Sequence, residues 1–282
     1  MEDIKKTLIN WYPGHMKKHF DLTKRNVNSF NVFLFVLDAR CPLSSIHPDL
    51  KKILKNKHVI YVIVKDDLAD PKITKLWREY FDKNYPNQYL FANLKNRKIW
   101  PDVRSLILKK IKLEHRFSYH KIMVVGVPNV GKSSLINNLS NKKSARVQNR
   151  PGLTQAFQNI KIDDNFEICD TPGLLWPKFE NDKISLNLSI INSIKRQVLP
   201  LEEVVEQIFN FFKEKYPKEF AATFKCETSD LDDYLKWLNI AAQKFGFYLK
   251  GQEINYDRLY NHVFNVLQDG KKIRFSLESP IK

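Results

Sequence analysis

Apolar, β-rich runs punctuate the first part of the chain at residues 32–38, 59–64, 88–91 and 122–126. Between them, residues 50–57, 73–81 and 101–113 space their apolar side chains at helical intervals. Such alternation predicts a mainly parallel sheet covered by helices, the α/β class. After Gly126 a turn opens a further helix over residues 132–139, and two short runs, 157–162 and 166–170, flank the turn Asp163-Asp164-Asn165 and predict a hairpin. From about Asp182 the pattern changes. The apolar spacing of residues 184–194, 201–212, 231–245 and 256–267 is helical throughout. The expectation is an α/β domain over 1–181 followed by a small all-helical domain over 182–282.

Composition supports this division without deciding chemistry. A chain of 282 residues has room for an α/β domain and a smaller partner, and 43% hydrophobic residues with 19 Phe and 11 Tyr supply a core. No apolar run approaches the roughly 20 residues of a membrane span. The charged start MEDIKK lacks the apolar stretch of a secretory signal, so a soluble, cytoplasmic protein is expected. Cys41, Cys169 and Cys226 are too few and too scattered for a disulfide framework or a paired zinc site. The net charge of +16 is unevenly held: residues 1–181 carry 32 Lys and Arg against 17 Asp and Glu, while residues 182–282 carry 15 against 14. A basic first domain points to a polyanionic partner.

The chemistry begins at Gly126-Val127-Pro128-Asn129-Val130-Gly131-Lys132-Ser133, a G-x-x-x-x-G-K-S pattern between a predicted strand and a predicted helix. In that context the loop from Pro128 to Ser134 curls so that its backbone N–H groups, from Asn129 onward, surround phosphates, Lys132 neutralises β/γ oxygens and Ser133 ligates Mg²⁺. Asp170-Thr171-Pro172-Gly173 fits the D-x-x-G element, with Asp170 in the Mg²⁺ shell and the Gly173 N–H facing a γ-phosphate. Between them, Arg150-Pro151-Gly152-Leu153-Thr154 places Thr154 where a switch threonine closes on the metal. The base-reading N-K-x-D element, normally downstream, has its counterpart upstream at Val64-Lys65-Asp66-Asp67, so the motif order is permuted. Asp67 can accept from guanine N1 and N2 hydrogens and the Lys65 stem can cover the ring, while Ala92 and Asn93 stand where a Ser-Ala loop supports the base. Val64 in place of Asn removes a hydrogen bond of roughly 0.5–1.5 kcal/mol, which predicts weaker binding with guanine preference retained.

Together with Trp11-Tyr12-Pro13-Gly14-His15-Met16 and Leu37-Asp38-Ala39-Arg40-x-Pro42, and with the extended motifs GVPNVGKSSLIN, RPGLT and DTPGLLWPKFE, these elements resemble the YlqF/RbgA-type circularly permuted GTPases over nearly the whole chain. The resemblance implies a P-loop GTPase domain followed by a helical, RNA-contacting domain. It also implies GTP hydrolysis to GDP with Mg²⁺, stimulation by K⁺ held at Asn129, and a partner in the large ribosomal subunit precursor and its rRNA. A monomer is expected. Leu174 follows Gly173 where Ras-like enzymes carry the water-orienting glutamine, so the family's proposed substitute, His15, becomes the catalytic candidate beside Lys132 and Thr154. The Asp38–Arg40 pair reads as a surface ion pair at a strand end. Two other readings are a nucleotide sensor with little turnover, suggested by Val64 and Asn93, and a GTPase acting on another RNA.

Overall fold

The computed structural model describes residues 14–95, 98–111, 119–140, 147–148 and 158–280. Thr154, residues 150–153, Trp11–Pro13, Phe157 and Leu113, all part of the sequence expectations, lie outside them. The chain falls into two compact units: one runs up to Lys178 and takes up the tail from Ser276, and the other is Phe179–Phe275. The division expected at 181/182 did not include that return of the tail.

The first unit is built on a seven-stranded sheet of order β3-β2-β1-β4-β7-β6-β5. Its strands are β1 (Val32–Asp38), β2 (His58–Val64), β3 (Tyr89–Ala92), β4 (His120–Val125), β5 (Val147–Gln148), β6 (Gln158–Lys161) and β7 (Phe166–Asp170). The first four strands and β7 run parallel, and β6 returns antiparallel between β7 and β5. The hairpin expected around Asp163 is therefore the β6–β7 pair.

All seven residues of β1 are buried, as a central strand covered on both faces requires. On one face Phe33, Phe35, Leu37, Ile63, Met123 and Cys169 join a cluster with Trp77, Phe81 and Leu174. By the two-residue period of a strand, the buried Leu34, Val36, Ile60, Val62 and Val124 face the other side. The helices are α1 (Gly14–Asn26), α2 (Pro48–Ile53), α3 (Pro71–Asn84), α4 (Trp100–Lys110) and α5 (Lys132–Leu139). Asp70 caps α3, its carboxylate accepting the Lys72 N–H at 2.8 Å, and Pro71 occupies the first turn where its missing N–H costs nothing. Helix α1 was not foreseen. Its buried side is small, Met16 and Thr23 with Phe20 and Leu22 packed on the core edge, too sparse a stripe to stand out in sequence.

The second unit contains α6 (Asp182–Ile190), α7 (Leu201–Lys215), α8 (Pro217–Phe224), α9 (Tyr234–Phe245) and α10 (Tyr256–Asp269). An aromatic core holds it together. Phe209, Phe212, Phe220, Phe224 and Trp237 are all buried, with Phe220 and Phe224 centroids 4.7 Å apart and Phe220 stacked on Trp237 at 5.3 Å. Large apolar area buried per ring makes such a cluster a stable centre for short helices. Among the described residues no helix is long and apolar enough to cross a membrane.

Candidate active site

Strand β4 ends at Val125 and α5 starts at Lys132, so the loop of residues 126–131 sits at the carboxyl end of the sheet, where α/β folds place ligands. Gly126 adopts φ +155°, and a Cβ there would lie 2.7 Å from the Val36 carbonyl oxygen of the neighbouring strand. Only glycine fits so near a strand. Gly173 is constrained from the other side: its Cβ would stand 2.5 Å from Pro128 Cα and 2.6 Å from Pro128 N. The D-x-x-G segment therefore lies directly on the loop, and two bonds fasten it: Leu174 N–H to the Gly126 carbonyl at 3.2 Å, and Thr171 Oγ1 to the Val124 carbonyl at 2.6 Å.

Lys132 is buried, with Nζ donating to the Val127 carbonyl at 2.9 Å and the Gly126 carbonyl at 3.3 Å. Burial pulls its pKa down to about 8, against a smaller upward pull from Asp170. Asp170 moves in the opposite sense. Burial raises its pKa, while Lys132, the Thr171 N–H and the Ser133 hydroxyl hold it back. Its Oδ1 is buried and makes no hydrogen bond among the described residues. A desolvated carboxylate oxygen beside a serine hydroxyl is a donor set suited to a hard divalent cation that keeps most of its waters.

At the neighbouring strand ends the base-side residues meet. Val64, Asp38 and Ala92 stand in register on β2, β1 and β3. Lys65, at φ +62°, sends Nζ to Asp38 Oδ2 at 3.0 Å and to the Asn129 carbonyl at 2.9 Å. Its ammonium thus bridges the base motif to the phosphate loop. The Asp38–Arg40 pair is not on the surface, contrary to the sequence expectation: the two side chains are 0% and 1% exposed, with Nη2 to Oδ2 at 2.9 Å and Nε to Oδ1 at 2.9 Å. The turn from β1 folds Arg40 back under its own strand end, so the fork closes on Asp38. Despite the cost of burial, Arg40 and Lys65 hold the Asp38 carboxyl well below the usual carboxylate range. Asp67 Oδ2 is paired with the exposed Lys95 Nζ at 3.0 Å, and Asn93 Oδ1 accepts the Lys95 N–H at 3.0 Å.

Leu174 is buried in the sheet core, so no polar group arises at that position. His15 stands exposed in the first turn of α1, its ring 6.2 Å from that of His19. Two residues that sequence reasoning passed over connect these parts. His47 stacks on Phe20 of α1 with centroids 5.4 Å apart, lies 5.1 Å from Trp176, accepts the Leu50 N–H at Nδ1 and hydrogen-bonds the Leu175 backbone. Burial drops its pKa to about 4, which keeps it neutral. Asn138 of α5 donates to the Leu94 carbonyl at 2.8 Å and accepts the Ile99 N–H at 3.0 Å, tying the loop after β3 to the helix that follows the glycine loop. An Asn amid the apolar positions of LINNL was its one signal in the sequence.

A glycine loop running into α5, a D-x-x-G segment lying on it, and a base motif on a strand that precedes both in the chain define a P-loop GTPase with permuted order. The family model described as "50S ribosome-binding GTPase" matches residues 121–236. Ribosome biogenesis GTPase A of Bacillus licheniformis is 32% identical over 280 residues, covering 97% of this chain and 99% of its own. The probable ribosome biogenesis GTPase A of Mycoplasma pneumoniae is 30% identical over 272 residues, 96% of each chain. The GNP-bound structure of YlqF from T. maritima has the same fold, with a TM-score of 0.70 over 94% of this chain and 99% of that one at 24% identity. This chain belongs to the ribosome biogenesis GTPase A family; it binds GTP and GDP and hydrolyses GTP.

Proposed function

We propose that this GTPase assists assembly of the large ribosomal subunit, binding the precursor particle and its rRNA in the GTP state and leaving after hydrolysis. The observation that carries the reading is similarity to ribosome biogenesis GTPase A proteins along 97% of the chain. The concentration of positive charge in residues 1–181 supports an rRNA partner through counterion release.

Within the site, Lys132 would neutralise the β/γ oxygens, backbone N–H groups of residues 129–134 would cradle them, and the Gly173 N–H would meet the γ-phosphate. Ser133 and Asp170 would hold Mg²⁺, joined by Thr154, and the cation when bound supplies neutralisation of developing phosphate charge. Asn129 would carry K⁺. Lys65, Asp67, Ala92 and Asn93 would receive the guanine. The Lys95 pair does not withhold Asp67, because an ion pair with a partner this exposed is worth roughly 0–1 kcal/mol and guanine offers two donors in exchange. With Leu174 buried, the attacking water needs another partner, and His15 is the candidate; the His47 stack, reaching both α1 and the segment after Gly173, supports movement of His15 with that segment.

Co-sedimentation with separated ribosomal particles tests the function. The chain should pellet with large-subunit precursors in the presence of a non-hydrolysable GTP analogue and be released with GDP. Equal pelleting with small-subunit particles, or nucleotide-independent pelleting, would overturn the proposal.

A further inference from the structure

Residues Ser276–Glu278 lie 201 or more positions from everything they bind in the first unit, yet each makes specific polar contacts there. The Glu278 carboxylate accepts the Leu43 N–H at 2.5 Å, the Ser44 N–H at 3.2 and 3.3 Å, and the Ser44 hydroxyl at 2.6 Å. Successive backbone N–H groups converging on a carboxylate form an anion nest, and charge-assisted bonds of this kind are about twice as strong as neutral ones. The Leu277 N–H donates to the Arg40 carbonyl at 2.8 Å. Ser276 Oγ accepts the Asp70 N–H at 3.3 Å, and the Glu278 carbonyl accepts Trp77 Nε1–H at 3.2 Å. Ser276 and Leu277 are buried.

These contacts close on the two sides of the base motif. Arg40 is held by the tail at its carbonyl and by Asp38 at its side chain. Asp38 Oδ2 is shared between Arg40 and Lys65, and Lys65 continues to the Asn129 carbonyl of the phosphate loop. Lys65 and Asn129 both have left-handed backbones, φ +62° and +55°, which non-glycine residues keep only when their surroundings hold them. A continuous run of charged and hydrogen-bonded groups thus extends from Glu278 to the phosphate loop.

We propose that Ser276–Glu278 are positioning residues of the nucleotide site: Glu278 fixes the loop after β1, that loop fixes the Asp38–Arg40 pair, and the pair keeps Lys65 on the phosphate loop. Releasing the tail loosens the site before any ligand arrives, so GDP and GTP both bind more weakly while turnover of bound GTP is little changed, the signature of lost uniform binding. By reciprocity, nucleotide tightens the tail.

The experiment uses the full-length chain. Glu278→Gln keeps the side-chain shape and removes the charge. Calorimetry is expected to show GDP and a non-hydrolysable GTP analogue each binding about tenfold more weakly, equivalent to about 1.4 kcal/mol, with single-turnover hydrolysis at saturating protein within about twofold of the parent. In the parent, GDP should slow amide hydrogen exchange at Ser44 and Leu277. If both affinities in Glu278→Gln stay within about twofold of the parent, the tail is only a structural strap and the proposal is wrong, even where the melting temperature falls. If the variant is too unstable to assay, the parent decides: absence of GDP-dependent slowing at Leu277 and Ser44 overturns the inference.

Discussion

In the proposed site Lys132 faces the nucleotide phosphates, which would give binding a pH dependence whose sign and size follow from its burial. In the nucleotide-free protein its pKa lies at about 8, against 10.5 for an ordinary lysine. Phosphate oxygens beside the ammonium favour the charged form and pull the pKa back up. Below pH 8 the lysine is already protonated, so affinity is full and flat. Above pH 8 binding must take up a proton, and affinity falls by up to tenfold per pH unit toward the bound-state pKa. If the phosphates restore 10.5, the whole fall spans about 2.5 pH units, or roughly 3 kcal/mol at 1.36 kcal/mol per unit. Stability of the nucleotide-free protein runs the other way. The folded form binds fewer protons than the unfolded form between 8 and 10.5, so the burial penalty is complete below 8 and disappears as pH rises across that window. Calorimetry of GDP binding in buffers of different ionisation enthalpy, from pH 7 to 8.5, measures the uptake directly. About half a proton should be taken up at pH 8 and almost none at pH 7. Zero uptake across the range, with constant affinity, would show that Lys132 is charged throughout and that its burial is not what sets its pKa.

Gly173→Ala should lower turnover at least about tenfold and cost roughly 1–3 kcal/mol of stability, since its Cβ would stand 2.5 Å from Pro128 Cα; unchanged melting and unchanged turnover would mean the two segments are not so close. His15→Ala should slow single-turnover hydrolysis roughly 10²-fold with nucleotide affinity nearly kept, and variant rates equal to the parent's, both with and without ribosomal particles, would move water positioning elsewhere. Asp67→Asn should erase the preference for GTP over ATP in competition binding, whereas Lys95→Ala should shift GDP affinity less than about fivefold because its ion pair is exposed; a large Lys95 effect would make that lysine part of base recognition.

The sequence alone determined what depends on neighbours in the chain. Strand β1 and helix α5 match their expected bounds residue for residue, because an apolar run between turn signals and a helix opened by a glycine loop are local signals. The G-x-x-x-x-G-K-S loop, the D-x-x-G segment and the upstream position of Val64–Asp67 were legible for the same reason, and with them the permuted GTPase class. Helix α8 was missed because it is only eight residues long and opens at Pro217, two residues past the end of α7, where proline suits a first helical turn as well as a loop. What only the tertiary structure decided is what depends on distance in sequence being cancelled by folding. Asp38–Arg40 looked like a surface pair until the sheet enclosed it. His47 became a joint only when Phe20 and Trp176 arrived on its two sides. Glu278 meets Ser44 across 234 positions, a contact with no periodicity or motif to announce it. Local propensity is written in the order of residues, whereas the burial that shifts Lys132 and the partners that satisfy Asp38 are set by which strands the sheet places side by side.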